Sequence, residues 1–224
     1  MSAASARPRR LPAGPWRVLL THALALMDDV AARGMADPHW TFGGGTVLML
    51  RHGHRRSKDV DIFVPDRQYL GYLTPRLSEL ADRIATDHVE APTHVKLVLP
   101  EGEIDFVVSN ALTARPFESW QLLRRTVRVE TAAEIIAKKL WHRGDMATAR
   151  DLFDLSLVIE HDPEGLRAAA PWLCRHRATF LAQLASRAPV LRAQFEAIDA
   201  LAYRPTYDDA VARATTFLEG LSAP

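Results

Sequence analysis

The sequence predicts an α+β fold, a mixed sheet with flanking helices followed by a C-terminal run of helices, and three observations carry that reading. Every strand-like segment lies in the first 130 residues, and from Thr131 to Leu221 the chain is Ala- and Leu-rich with helical spacing. Between the first strand candidate and the first apolar strand stands a glycine triplet, Gly43-Gly44-Gly45, that opens a helix. The composition suits a globular protein: 48% hydrophobic and 25% charged residues, with 28 Lys+Arg against 27 Asp+Glu, exclude a disordered or fibrous chain. At 224 residues, one large domain or two small ones can bury enough apolar surface to fold without disulfides or a structural metal.

Residues 1–15 are rich in Ala, Arg and Pro and read as a flexible arm. From Trp16 to Arg33 the apolar residues Val18, Leu19, Ala23, Leu26, Met27 and Val30 recur at three- and four-residue steps, the pattern of a helix with one buried face, and Gly34 stops it. His39–Phe42 is a short strand candidate, and after the glycines a helix runs from Thr46 to about His52. A basic loop, Arg51–Lys58, leads into Asp59–Val64, whose alternation and β-branched residues predict a strand closed by Pro65. A helix is expected over Arg67–Ala85, then a hairpin of Thr93–Leu99 and Glu103–Ser109 around Pro100-Glu101-Gly102. Thr126–Val129 is strand-like. The expected organisation is therefore an α/β domain over 16–130 and a helical domain over 131–224.

Several function classes fall away. The single cysteine, Cys174, can form neither an internal bridge nor a zinc cage; it suggests a reducing cytoplasm and a small core residue. No apolar stretch reaches the length of a membrane span, and the basic start does not read as a signal peptide, so a soluble cytoplasmic protein without membrane contact is expected. A net charge of +1 gives no whole-chain drive toward nucleic acid, although local basic clusters can still contact phosphates.

The chemistry concentrates in Phe42–Val64. Glycines at a helix entrance let backbone N–H groups approach an anion, so a phosphate fits at Gly44, Gly45 and Thr46; a plain tight turn is the alternative. Asp59 and Asp61, two apart on a strand, project to the same side, close enough to share Mg²⁺; an exposed polar strand face is the alternative. Asp105, in the apolar strand Glu103–Val108, completes a triad if that strand lies beside the first, and Glu103 shares its face. A solvated hairpin acid is the other reading of Asp105. Three such carboxylates can hold the two metal ions used in in-line nucleotidyl transfer.

These residues resemble the nucleotidyltransferase toxins of the AbiEii type. The resemblance rests on Gly44-Gly45-Thr46, Leu48, Arg51, Arg56-Ser57, Asp59-x-Asp61 and Asp105, then on Glu134–Leu140, Arg143 and Arg150-Asp151-Leu152-Phe153-Asp154-Leu155, over about residues 40 to 160. It implies a polymerase-β-like nucleotidyltransferase core, Mg²⁺ dependence, a nucleoside triphosphate substrate and a place in a bacterial toxin–antitoxin or phage-defence module with a cognate antitoxin. Some relatives transfer nucleotides to the 3′ end of tRNA. By position, Gly44 and Gly45 would cradle the triphosphate, Arg56 and Ser57 would contact the nucleotide, and Asp59, Asp61 and Asp105 would bind metal. Lys139 would neutralise triphosphate charge, and Asp151 or Asp154 would orient Lys139 or an arginine such as Arg150.

Lys139, Arg143 and Arg150 share one broad face if the helix is continuous, although Gly144 can break the register; a solvated charge face is the competing reading. The loop Arg51–Lys58 carries four cations and two histidines from which nucleotide or RNA phosphates could be contacted, or it is an exposed solubilising loop. No histidine is assigned to metal. The arginines at 167, 175, 177, 187, 192, 204 and 213 either bind an acceptor RNA or are surface. The expected function is Mg²⁺-dependent transfer of a nucleoside monophosphate to an acceptor, foremost the tRNA 3′ end. A non-catalytic nucleotide- or RNA-binding module, and transfer to a protein or small molecule, are the alternatives.

Overall fold

The structure, a computed structural model, describes residues 11–35 and 37–222. Most of the expected N-terminal arm lies outside the described residues; within its last part, the Trp16 indole N–H donates to Pro12 O at 3.0 Å. The chain forms two compact units. An α/β unit runs to His52 and takes in Ser57–Asn110 and Phe117–Glu130; a helical unit takes in Gly53–Arg56, Ala111–Pro116 and everything from Thr131 on.

The α/β unit contains α1 (Trp16–Ala32), β1 (Thr41–Gly43), α2 (Gly44–His52), β2 (Val60–Val64), α3 (Gln68–Leu73), α4 (Glu79–Ile84), β3 (Asp87–Ala91), β4 (His94–Leu99), β5 (Gly102–Val108), β6 (Phe117–Leu122) and β7 (Arg125–Glu130). Its mixed sheet of seven strands has the order β3-β4-β5-β2-β1-β7-β6, with β2 parallel to β5 and β1 parallel to β7. Side chains alternate across a strand, and register partners share a face. Phe42, Val60, Ile62, Ile104 and Phe106 form one buried apolar face, joined in the core by Leu19, Leu20, Leu26 and Val30 of α1. The opposite face of the same strands carries the acids.

Four local expectations are corrected. The helix expected over Arg67–Ala85 is two helices, because Pro75 forces Thr74 into extended backbone and the chain restarts at Ser78, whose hydroxyl caps Ala81 N. β3 (Asp-His-Val-Glu-Ala) is an additional strand: mostly exposed and polar, it is held by antiparallel pairing to β4 rather than by an apolar pattern. β6 is also additional, and it returns to β7 through Leu123-Arg124, both at positive φ (49° and 65°). That two-residue turn ordinarily takes Asn or Gly, so the residues give no turn signal. Cys174 is half-buried rather than a core residue.

The helical unit contains α5 (Ala132–Arg143), α6 (Ala149–His161), α7 (Pro163–Ala168), α8 (Ala170–Leu173), α9 (Arg177–Ser186), α10 (Ala188–Glu196) and α11 (Tyr207–Glu219). Thr131, Thr148 and Thr206 cap α5, α6 and α11 by accepting from the N–H three residues on, each with an acid in the first turn that suits the helix dipole. Phe153 of α6 sits at the centre of an aromatic group with Phe195 (5.2 Å) and Tyr203 (5.3 Å). The seven C-terminal arginines all have partners inside this unit. Arg177 donates to Leu218 O and Leu221 O, Arg187 to Ala147 O, and Arg204 to Ala200 O and Leu201 O. Arg192 pairs with Asp208, Arg213 with Glu160 and Arg167 with Glu164, while Arg175 lies over the Trp141 ring.

Candidate active site

In the α/β unit the sheet register sets four residues in one row across adjacent strands. Lys96 of β4 is opposite Asp105 of β5, Asp105 is opposite Asp61 of β2, and Asp61 is opposite Gly43 of β1. Glu103 lies one step further along the same face, and the carboxylate of Asp59, just before β2, accepts from Glu103 N at 3.3 Å. The structure therefore brings Asp61 and Asp105 side by side on one face of neighbouring strands, while Asp59 stands one residue before β2, outside the paired row. Lys96 is the cation of this group, with Nζ 2.6 Å from Glu103 and 3.6 Å from Asp105. Burial pushes the Asp105 carboxyl up; Lys96 pulls it down, Glu103 and Asp59 push it further up, and the net position is above the usual carboxylate range.

The glycines meet this row at a close approach. Gly44 begins α2 with φ +71°, and a Cβ placed there would lie 1.9 Å from Asp61 Oδ2. At Gly43 a Cβ would lie 2.2 Å from Glu130 Oε2. These glycines are needed because the acidic side chains pass directly over their backbone. Gly44→Ala is accordingly expected to cost about 1–3 kcal/mol, from the strained φ and the displaced carboxylate together, read as a lower urea midpoint. Thr46 is fully buried, and its hydroxyl donates to Asp59 O (2.5 Å) with Ser57 Oγ 3.0 Å away, so its side chain fixes the loop before β2 and only its backbone can face a ligand. Ser57 N donates to Met49 Sδ, which completes that anchorage.

The basic loop is not one solvated segment. Arg51 has a nearly buried side chain that donates to Val129 O and Glu130 O, pairs with Glu118 and lies 4.7 Å over Trp120, a structural role within the α/β unit. His54 and Arg55 are buried in the helical unit. Arg56 is exposed and pairs there with the equally exposed Asp199 at 3.0 Å.

In the helical unit a second constellation forms around α5 and α6. The Lys139 ammonium donates to Asp151 Oδ1 and to Asp154 Oδ2, both at 2.8 Å. Asp151 also accepts from Arg143 (2.7 Å) and from the Thr148 hydroxyl (2.8 Å). Asp154 is fully buried; Arg55 grips both of its oxygens at 2.8 Å and His54 Nε2 reaches Oδ1 at 2.9 Å. Both acids of the Arg-Asp-x-x-Asp element thus meet Lys139, and the arginines they engage are Arg55 and Arg143. Arg150 points to solvent, because α5 ends at Gly144 and α6 restarts at Thr148, which breaks the shared helical face.

Burial alone would raise the Asp154 carboxyl, but Lys139 and Arg55, with hydrogen bonds from His54 and Arg55, hold it well below the usual range. Asp151 is likewise pushed up by burial and brought below its ordinary value by Lys139 and Arg143. An ionised carboxylate only accepts, so His54 Nε2 carries the proton that Asp154 receives. His54 Nδ1 has no hydrogen-bond partner among the described residues, and burial lowers the pKa of this imidazole, opposed by Asp154.

All three shifts are downward, so each group stabilises the fold above its unfolded pKa and loses that contribution as pH falls. Stability is therefore expected to decline first below about pH 6.5, as His54 of the unfolded chain takes up a proton, and more steeply below about pH 3.8, where Asp151 and Asp154 do so. A series of urea midpoints from pH 8 to about pH 3 reads this; a flat profile contradicts it.

Sequence reasoning did not find Lys96, Arg55 or His54 as members of these groups. For Lys96 the signal was present, since alternation in Thr93–Leu99 and the tight hairpin place it opposite Asp105. For Arg55 and His54 no local signal distinguishes a buried basic pair from a solvated one.

The chain matches the family of nucleotidyl transferase AbiEii toxins, type IV toxin–antitoxin system, over residues 25–220. It belongs to that family. The protein is therefore a nucleotidyltransferase from a toxin–antitoxin family, and its mixed sheet with flanking helices is the nucleotidyltransferase core. No curated protein matches the chain. Among solved structures it is similar to JHP933 from Helicobacter pylori, with 16% identity, 90% of each chain covered and a TM-score of 0.48. It is also similar to the antibiotic-resistance factor ANT(2'')-Ia, with 15% identity over 77% of this chain and 95% of that one and a TM-score of 0.45. A nucleotidyltransferase-like protein from Paracoccidioides brasiliensis gives 15% identity, 81% and 93% coverage and a TM-score of 0.41. Family membership rests on the 25–220 match, not on these low similarities. No helix among the described residues is long and apolar enough to cross a membrane.

Proposed function

We propose that this nucleotidyltransferase uses Mg²⁺ and a nucleoside triphosphate to place a nucleoside monophosphate on the 3′ end of tRNA, as the toxin partner of a cognate antitoxin. The observation that carries the reading is the row Gly43, Asp61, Asp105 and Lys96 across four strands, with Gly44 against Asp61. A glycine-started helix supplies backbone N–H groups for phosphate at Gly44, Gly45 and Thr46, next to acids that suit a hard cation.

The metal fits by donor chemistry. Asp59, Asp61 and Asp105 offer the carboxylate oxygens that Mg²⁺ prefers, and they are the residues proposed to hold it. Among the described residues no three His, Cys, Asp or Glu side chains converge into a preformed cage. Mg²⁺ does not need one, since it ordinarily binds one or two carboxylates, water and the substrate phosphates. When bound it would neutralise phosphate charge and polarise the reacting oxygens.

In the transfer an acceptor hydroxyl oxygen forms a bond to the α-phosphorus, the bond from the α-phosphorus to the bridging oxygen of the β-phosphate breaks, and pyrophosphate leaves. Asp105, whose basicity burial and neighbouring acids raise, is proposed to take the hydroxyl proton. Lys139 is proposed to balance triphosphate charge: it uses two of its three ammonium N–H groups on Asp151 and Asp154. The Thr46 proton goes to Asp59 O, so the Ser57 hydroxyl donates to Thr46 Oγ1 and offers a nucleotide N–H or O–H its lone pairs. Arg56 is held by an exposed pair that is worth little and easily exchanged for a phosphate.

The test is incubation of the protein with each α-labelled NTP and Mg²⁺, with and without total tRNA. Labelled tRNA supports the reading in full. Label on the protein itself, or on an added aminoglycoside in place of tRNA, keeps the transfer and replaces the acceptor, and no label in any arm overturns catalysis.

A further inference from the structure

We infer that Arg55 and His54 are positioning residues for nucleotidyl transfer: through Asp154 they fix where Lys139 places its ammonium. The inference rests on the proposed role of Lys139 at the triphosphate. It concerns two residues of the loop Gly53–Arg56 that folds as part of the helical unit, although it lies in sequence just before Asp59.

The geometry is that of a clamp. Arg55 Nε and Nη2 donate one to each oxygen of Asp154, both at 2.8 Å, and a bidentate guanidinium fixes the plane of a carboxylate as well as its position. His54 Nε2 adds a third contact on Oδ1. Oδ2 is then left with one well-defined direction for Lys139 Nζ, also at 2.8 Å. Asp151, held by Arg143 and the Thr148 hydroxyl, takes a second ammonium N–H. With two of three donors anchored on fixed oxygens, the direction of the third is determined by geometry rather than by the flexible lysine chain.

Charge gives the second part of the argument. Lys139 faces two ionised carboxylates, a pair that would by itself more than cancel its charge and hold it away from a phosphate. Arg55, buried at 5% exposure, neutralises Asp154 from the other side, and Arg143 does the same for Asp151. Three cations then face two anions, and the surplus positive charge is available to an anion. Burial makes this arrangement stiff, because Asp154 and His54 are both fully excluded from water. The loop itself is held by backbone bonds, Leu201 N to His54 O and Arg56 N to Asp199 O, both at 2.8 Å.

The experiment compares Arg55→Lys, Arg55→Met and His54→Leu with the wild-type chain, measuring KM for the NTP, KM for tRNA and kcat at a temperature where circular dichroism shows each variant folded. A positioning role predicts a graded rise in KM for the NTP, about threefold in His54→Leu, about tenfold in Arg55→Lys and more in Arg55→Met, with KM for tRNA unchanged. A purely structural role would lower kcat through the folded fraction and leave both KM values alone. That result overturns the inference, as does failure of all three variants to fold at any temperature. His54→Gln keeps an N–H donor toward Asp154 and is expected to restore the wild-type KM; a KM like that of His54→Leu counts against the clamp. Absence of transfer by the wild-type chain would instead sink the functional reading, and is seen before any variant is made.

Discussion

Asp61→Ala is expected to reduce nucleotidyl transfer by at least about a thousandfold while leaving the unfolding midpoint within about 1 kcal/mol of wild type. Asp61 occupies the centre of the row, opposite Asp105 on one side and Gly43 on the other, with its carboxylate directly over Gly44. In the proposed reaction it is the residue shared by the metal and the phosphate seat, so no neighbour substitutes for it. Its loss is tolerable for the fold because Lys96 keeps Glu103 and Asp105 as counter-charges on the same face, with one like charge fewer beside Asp105. The apolar face of β2 (Val60, Ile62 and Val64) is untouched. Transfer measured with labelled NTP, alongside urea unfolding, separates the two effects. Retained transfer in Asp61→Ala would remove the row from the mechanism, and a large loss of stability would make Asp61 a structural acid.

Asp154→Ala is expected to do the reverse, destabilising the helical unit by about 3–5 kcal/mol. Asp154 is the anion for Arg55 and Lys139 and accepts from His54, all inside the protein. Alanine strands the buried Arg55 guanidinium and leaves Lys139 with Asp151 alone, and this cost comes from the stranded partner rather than from the lost attraction. Against a typical total of about 5–15 kcal/mol, the variant should lose much of its cooperative transition or be partly unfolded at 37 °C, read by far-UV circular dichroism and the urea midpoint. Asp154→Asn keeps the acceptor oxygen and the volume but not the charge, and should fall between the two. An Asp154→Ala protein as stable as wild type would mean that the cluster opens to solvent and that the clamp on Lys139 is weak.

The contrast between these aspartates shows what the residue pattern carries. Asp61 and Asp105 were legible because each sits in a short apolar run with period-two alternation, which fixes the side they project to before any partner strand is known; Asp59 falls one residue before the strand. The hairpin of β4 and β5 was equally legible, from Pro100-Glu101-Gly102 between two alternating runs. The Arg-Asp-x-x-Asp element announced a charged group, but not its membership. Arg150, adjacent in sequence to Asp151, faces solvent, while Arg55, a sequence separation of 99 from Asp154, closes on it. The loop around His54 and Arg55 looked solvated because a run of cations ordinarily is. The C-terminal arginines looked available for RNA for the same reason, yet each is engaged within the helical unit.

Strands raise the same distinction. β2 and β5 follow from their own residues, whereas β3 follows from the free edge of β4, and β6 from a turn through two residues without a turn preference. By itself, the sequence determined the α+β class, the strands that carry the acids, the glycine-started helix and the family, because each depends on spacing along a few residues of chain. Tertiary structure alone decided how many charges are paired and which of those are buried: Lys96 on Asp105, Arg55 and His54 on Asp154, Arg51 over Trp120. Those choices depend on desolvation and on contacts between segments distant in sequence, and neither quantity has a local signature.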